Sequence, residues 1–459
     1  MTPSFENGGV TPSRRSTSWR MLADTVTVGG WTSAVKVAGA VKVILAARMF
    51  GASDAMDAYL IAFLLPSFFI DTLAGPLDAA LIPTLIEQRE KRGRGAAEAL
   101  YRSVLAAAGA GFLLAAAFAA AAAGWFLPLL ASSFTPEKLA ATRQLLLLMF
   151  AVVPLSGLAA TWRAVLNSEH HFAYSAAVPL LTPVVSIAAL LVFGKQYGVT
   201  ALAVGTLLGG TLEALAASIA AKFAGYPIFP RWSGMSAVLR DVAGQYAPLV
   251  AVTLVMTGSV LVDQSLAARL GSGSVAALSY GTRLLGVLIV VGPTAVGTAV
   301  LPHISAGVLA GEPGAVRRTL RTYGLVVLAV ILPSTAALMY FSEPIIRVLF
   351  QNGAFSETNT HLVSRVQQAS LLQLPIAVLL ALEIRLTSAL KMNRLLYRLA
   401  ALSLLLTFMF DIVFMRWLGV VGIALAGAAI RLVSSLYLSC KIYGLRTASA
   451  GFQPANRVT

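Results

Sequence analysis

Apolar residues in this chain fall into long runs separated by short polar breaks. Crossing bilayer hydrocarbon as a helix takes roughly 17–25 predominantly apolar residues. Twelve runs reach that length, at 26–48, 58–86, 103–130, 142–166, 172–194, 198–222, 246–268, 275–305, 320–342, 362–390, 395–417 and 419–442. The pattern predicts an all-α polytopic membrane protein. Many runs carry Gly or Pro near mid-depth: Gly39, Pro66, Gly75-Pro76, Pro154, Pro179, Pro183, Gly292-Pro293, Pro333 and Pro375. Backbone groups freed inside lipid are tolerated only where protein packs on them or a watery cavity opens. Packing through small residues accounts for most of the glycines. Residues 106–123 are so rich in alanine that they read as a closely packed helix. The stretch 345–357 is too short and too polar to span, and is expected to lie along a membrane face.

The runs repeat at a constant offset of 221 residues. Ala46-Ala47-Arg48 returns as Ala267-Ala268-Arg269, Phe134 as Phe355, Pro154 as Pro375, and Gly198-Val199 as Gly419-Val420. An even number of spans per half gives both halves one orientation. The expected architecture is therefore twelve transmembrane helices in two parallel-related six-helix lobes around a central cavity. Two like membrane halves around a shared site are the usual plan of a secondary transporter. The expected divisions are a tail over 1–25, an N-lobe over 26–222, a linker over 223–245, a C-lobe over 246–442 and a tail over 443–459.

Charge orients this plan. Odd-to-even connections carry few basic residues: Lys138, Lys195, Arg347 and Arg416. Even-to-odd connections carry clusters: Arg89, Lys91, Arg92 and Arg94; Lys222, Arg231 and Arg240; Arg317, Arg318 and Arg321; Lys391, Arg394 and Arg398. The positive-inside rule then puts both termini in the cytoplasm. It also accounts for the net charge of +15 without nucleic acid, for which no soluble basic domain exists. Only 12% of residues are charged, against about 25% in soluble chains. The head of the chain, with Arg14, Arg15 and Arg20, lacks an apolar core with a cleavage site and reads as a polar tail. One cysteine, Cys440, excludes an internal disulfide and a cysteine-based metal site.

Ionisable groups inside the spans are the functional candidates, because each costs about 2.5–3.5 kcal/mol on insertion scales. They are Lys36, Lys42, Asp71, Asp78, Glu213, Asp263, Arg283, Glu383, Arg385, Asp411 and Arg431. Internal pairing that only glues helices is the bland account of the set, and suits Glu213 and Arg431 best. Lys36 and Lys42 share one span, so an anion should lie near. Asp71, Asp78 and Asp263 could supply it from within, and a phosphate-bearing substrate from outside, since lysine binds phosphate as a compact charge. Asp71 is expected to pair with one of the lysines until substrate arrives. Lys42 becomes Asp263 in the second half, so the duplication has diverged in sign. No phosphate loop or H-E-x-x-H helix is present. His170-His171 reads as a solvated turn, and no loop could hold a catalytic domain. The chain is expected not to be an enzyme and to need no metal or organic cofactor.

The segment Val35-Lys36-Val37-Ala38-Gly39-Ala40-Val41-Lys42, then Ala47-Arg48-Met49-Phe50-Gly51-Ala52, Asp57-Ala58-Tyr59 and Ala62-Phe63-Leu64-Leu65-Pro66, resembles the start of the MurJ/MviN family. These are lipid II flippases of the multidrug/oligosaccharidyl-lipid/polysaccharide superfamily. Ser279-Tyr280-Gly281-Thr282-Arg283-Leu284 with Val300-Leu301-Pro302, and Leu349-Phe350-Gln351-Asn352-Gly353-Ala354-Phe355, are similar to later family stretches. The resemblance implies two lobes, a central cationic cavity and alternating access. It implies that Lys36, Lys42 and Arg283 match the family's essential basic residues, and Asp57 its motif aspartate. Two departures stand out. Lysines replace both arginines of the first motif, and Ile70-Asp71 stands where the family has an Arg-Arg pair. The family also usually carries fourteen helices, against twelve runs here.

The leading expectation is a flippase for an undecaprenyl-pyrophosphate-linked glycan, lipid II or a related envelope or exopolysaccharide precursor. Lys36, Lys42 and Arg283 would bind pyrophosphate, with Asp57, Asp71, Asp78 and Asp263 as acidic cavity or coupling residues. The expected partners are the lipid-linked oligosaccharide, the bilayer and glycan-synthesis machinery, in a bacterial inner membrane. A proton, a monovalent cation or the membrane potential would drive transport. Two other readings stay open: a cation-coupled drug or metabolite exporter of the same superfamily, and a non-transporting membrane partner of a glycan-assembly complex.

Overall fold

The computed structural model describes residues 14–289, 313–389 and 392–449. Gly292-Pro293, Val300-Leu301-Pro302, His303 and Lys391 lie outside the described residues, as do the side chains of Arg14, Arg15, Arg20, Arg317, Arg318 and Arg321. Among the described residues every regular element is helical. The N-terminal half holds α1 (Arg14–Phe50), α2 (Asp54–Phe69), α3 (Leu77–Arg92), α4 (Arg94–Leu130), α5 (Pro136–Phe150), α6 (Val152–Ser168), α7 (Phe172–Ala177), α8 (Leu181–Tyr197) and α9 (Val199–Phe223). The C-terminal half holds α10 (Ala237–Ala267), α11 (Ser274–Gly281), α12 (Pro313–Tyr340), α13 (Ser342–Phe350), α14 (Glu357–Leu371), α15 (Gln373–Ala389), α16 (Asn393–Leu418) and α17 (Val420–Ser449). Among the described residues nine helical stretches are long and apolar enough to cross a membrane, and the end of α12 with α13 forms a tenth if counted as one span bent by 57°. The connection between the halves is shorter than the expected linker, because α9 runs to Phe223 and α10 begins at Ala237.

The duplication is visible at single-residue resolution. Helices α5 and α6 end and begin at the same shifted positions as α14 and α15. Thr135 caps α5 by accepting from the Lys138 N–H, and Ser356 caps α14 by accepting from the Asn359 N–H. Such caps satisfy amides that a helix start leaves orphaned. Gly198 and Gly419 adopt one backbone shape, φ 57°, ψ −140° and φ 60°, ψ −137°. Positive φ strains any residue with a Cβ, which explains glycine at both places.

Within the halves, α8 packs on α9 and α6 on α9, while α16 packs on α17 and α15 on α17. Helix α4 corrects the expectation of close packing. Phe112, Ala116, Ala119 and Ala123 are buried along one stripe, but Leu113, Leu114 and Phe118 on the rest of the helix are exposed. That stripe follows the three-and-four spacing of one helix face. Between the halves, α10 lies against α2 and α3, and α1 against α13.

Helix α2 does not run smoothly into α3. Pro76 has no N–H to continue the ladder, and the chain widens into a π turn over Ile70–Ala74. The Gly75 N–H reaches back five residues to the Ile70 carbonyl at 3.4 Å. The C-terminal half uses this irregularity. Tyr246 donates to the Leu73 carbonyl at 2.6 Å, and the Thr72 and Thr257 hydroxyls share a hydrogen bond of 2.9 Å.

Candidate anion-binding cavity

Lys36 and Lys42 project from α1, and Arg283 follows directly on α11. At about 100° per residue, Gly39 sits angularly midway between the two lysines. The Arg283 guanidinium lies over that bare strip of helix, 3.8 Å from where a Gly39 Cβ would be. Lys36 and Lys42 therefore flank, about one turn to either side, the point on α1 that Arg283 covers. Lys36 and Arg283 are exposed and Lys42 is half-buried, with its ammonium 6.0 Å above the Phe63 ring. Among the described residues no carboxylate lies within ion-pair distance of any of the three. Asp71 is exposed in the π turn and pairs with neither lysine, contrary to the expectation from sequence. Asp71 lies in the π turn, where the helix departs from α register.

The other acidic candidates sit elsewhere. Asp57 is fully buried and is not beside the cations. Its carboxylate accepts from the Gly273 and Ala276 amides at 2.7 and 2.9 Å, and from Lys138 at 3.2 Å. One half thus caps the first turn of α11 in the other half. Further bonds close the same end of the molecule. Arg48 donates to the Leu349 and Val348 carbonyls at 2.9 and 3.0 Å, and its own carbonyl accepts from the Ala354 N–H at 2.8 Å. Tyr280 donates to the Gly51 carbonyl at 3.3 Å, stacks with Phe350 and meets Phe355 at a tilt. Gly353 is required there, because a Cβ would collide with the Arg48 carbonyl oxygen. This latch joins the halves at one end of the cavity.

Asp78 has one carboxylate oxygen buried without a hydrogen-bond partner, in reach of the Arg163 charge. Arg163 is paired with Glu213 at 2.8 Å, and Thr182 donates to Glu213 at 2.7 Å. Glu213 thus has the pairing role that the sequence suggested for it. Asp263 opens on a separate cavity of about 640 Å³ inside the C-terminal half. Beside it lie Asp411 and Arg431, and Arg431 donates to Gln373 at 3.0 Å. Both Asp411 oxygens are buried without a donor. The offset maps Arg163, Thr182 and Glu213 onto Ile384, Ser403 and Ser434, all in the wall of this cavity. An ion pair fills one half where the other half keeps open space. Asp411 and Arg431 stood out as intramembrane charges, but nothing in their spacing tied them to Asp263. For Arg48 and Lys138, Gly51 and Gly353 flanking aromatic motifs were the available signal.

Toward the opposite end, charge and hydrogen bonds tie helices of the N-terminal half to one another and to the start of the connection that follows α9. Arg89 and Glu169 pair at 2.8 Å, Tyr226 donates to Glu169 at 2.6 Å, and Tyr101 donates to the Pro227 carbonyl at 3.0 Å. Burial pushes the Glu169 carboxyl up, but the bonds from Tyr226 and Arg89 outweigh it and hold it below its ordinary range.

A family described as "Lipid II flippase MurJ" matches residues 46–454. The chain belongs to this family. A probable lipid II flippase MurJ of Rhizobium tropici is 29% identical over 77% of this chain and 68% of its own length. The solved structure of lipid II flippase MurJ in an inward closed conformation superposes with a TM-score of 0.78 at 21% identity, covering 91% of this chain and 87% of that one. An inward-facing multidrug-resistance MATE transporter of the MOP superfamily gives 0.71 at 14% identity, over 90% and 96%. The MurJ match takes in Arg283 and Asp57 and begins just after Lys42. Family and apolar helices together place the chain in a bacterial inner membrane as a multi-pass protein.

Proposed function

We propose that this chain flips a lipid-linked glycan across the inner membrane, and that Lys36, Lys42 and Arg283 receive its pyrophosphate. The observation that carries this reading is the trio of cations about Gly39, with no carboxylate in ion-pair reach among the described residues. Clustered like charges are unfavourable unless an anion joins them, and the relatives' names point to a lipid-linked one. The lobes 26–222 and 246–442 rock about the linker, with the latch on the periplasmic face and both termini in the cytoplasm. The enzymes that build the glycan on the cytosolic face are the natural suppliers of substrate. Asp263 and Asp411 with Arg431 hold one negative charge more than they neutralise, which suits a proton or monovalent cation as the coupling ion. Depleting the protein and identifying the lipid-linked precursor that accumulates tests the reading. Build-up of a polyprenyl-pyrophosphate glycan on the cytosolic face is expected, and unchanged precursor pools would refute it.

A second reading, cation-coupled export of a small molecule, draws on the acidic cavity of the C-terminal half and the MATE-like fold. It predicts that the Lys36, Lys42 and Arg283 alanine variants keep their function.

A further inference from the structure

Helix α13 presents three stripes, each at a spacing of about four residues. Ser342, Ile346 and Phe350 are buried, and Phe350 stacks on Tyr280 and Phe355. Glu343, Arg347 and Gln351 form a polar edge, with the Glu343–Arg347 pair at 2.8 Å and Arg347 donating to Gln351 at 3.3 Å. The third stripe is apolar but does not serve the core. Ile345, Val348 and Leu349 face Ala337, Leu338 and Phe341 at the end of α12 across a groove of about 530 Å³. Val348 is 75% exposed and Phe341 53%.

The groove continues along the α12 face that carries the exposed Val330, which lies seven residues before Ala337 and eleven before Phe341 on one side of the helix. Residues 328–340 of α12 and 342–350 of α13 together have the hydropathy of a membrane span, and α13 bends away from α12 by 57°. A helix with one apolar and one charged edge, bent at the end of a span, lies in the membrane interface. The mouth of its apolar side then opens into hydrocarbon, where lipid chains are the available apolar matter. The two carbonyls at the end of α13, of Val348 and Leu349, are the ones that Arg48 of the other half holds. The groove and the latch are two sides of one short helix.

We propose that the groove between α12 and α13 is a binding site for one acyl chain of a membrane phospholipid, and that the bound chain seats α13 against Arg48 and so stabilises the closed latch. The chain would replace water or loosely packed neighbours along Val348 and Leu338. The inference concerns the lipid around the protein and stands apart from the identity of the transported substrate.

The test uses the full chain carrying Cys440→Ser, in vesicles of phosphatidylethanolamine and phosphatidylglycerol. A small share of the phosphatidylethanolamine carries a diazirine at the end of one acyl chain. After photolysis and digestion, adducts should concentrate on peptides holding Leu338 and Val348, severalfold above those holding the exposed Leu191 and Val192. The double variant Ile345→Ser with Val348→Asn should lose them and leave the adducts at Leu191 unchanged. Labelling that follows surface exposure alone, equal at both places, would overturn the site. A thiol placed at Ala268, which is fully buried and whose carbonyl accepts from Ser133 across the latch, reads the coupling. The groove variant should react there severalfold faster with a soluble maleimide. Loss of adducts with an unchanged maleimide rate would overturn the coupling, and Arg48→Ala supplies the opened-latch reference rate.

Discussion

Replacing Asp57 by alanine should open the latch. The carboxylate makes two backbone bonds to the start of α11 and one bond to Lys138. Losing a helix cap costs about 0.5–2 kcal/mol. Cutting a buried ion pair on one side costs about 3–5 kcal/mol. Lys138 keeps Asp54 as a partner at 2.5 Å, so the low ends apply, and they sum to about 3.5 kcal/mol. At about 1.4 kcal/mol per factor of ten, the closed latch would lose roughly three-hundredfold of its advantage. Spin labels at Ser132 and Asn352, exposed on loops of the two halves, report the gap in a Cys440→Ser background. Asp57→Ala should move much of the distance distribution to longer values. Asp57→Asn keeps an acceptor oxygen but no charge, and should fall between. A distribution identical to the parent in both variants would refute the assignment of Asp57 to closure.

Alanine at Lys36, Lys42 or Arg283 should each abolish complementation at unchanged protein level, checked by immunoblot of the membrane fraction. Gly39→Leu should do the same by displacing Arg283, whereas Gly39→Ala, whose Cβ meets the guanidinium at an ordinary 3.8 Å, should be tolerated. A double-mutant cycle between Asp71 and Lys42 should give a coupling under about 0.5 kcal/mol, the additive limit for sites that share no contact. Glu169 is held below its ordinary value, so its stabilising effect is present above the unfolded carboxyl range, near pH 4.3, and is lost as pH falls further. Thermal melts should show Glu169→Gln losing less stability than the parent between about pH 5 and 3.

Helix positions were legible because their signals are local. Run length is set by neighbouring residues, and the shared offset repeats each run in the second half; the caps at Thr135 and Ser356 emerge only in the structure. The three cations were legible for another reason: a charge in an apolar run has few places to go. The position of Asp57 was not, because its partners Gly273 and Ala276 lie more than two hundred residues away. Asp71 failed for a local reason. The expected pairing rested on Asp71 lying one helix from Lys36 and Lys42, and the stretch before Gly75-Pro76 is a π turn in which Asp71 is exposed. The cavity beside Asp263 was hidden for a third reason. It exists because Ser403 and Ser434 stand where the first half has Thr182 and Glu213, and a void leaves no residue to read.

The single glycines at 198 and 419 have a consequence for how the chain is made. Tyr197 and Val199 both belong to helices, as do Leu418 and Val420, so one residue is the whole connection in each pair. A connection that short gives the translocon no loop to thread or retain. Helices α8 and α9, and later α16 and α17, must leave it as finished hairpins. Lys195 and Arg416, in the last turns before these glycines, ride with their hairpins instead of steering them. An insertion fault at either place would drop two spans together, and at the first of them every span that follows would keep its orientation.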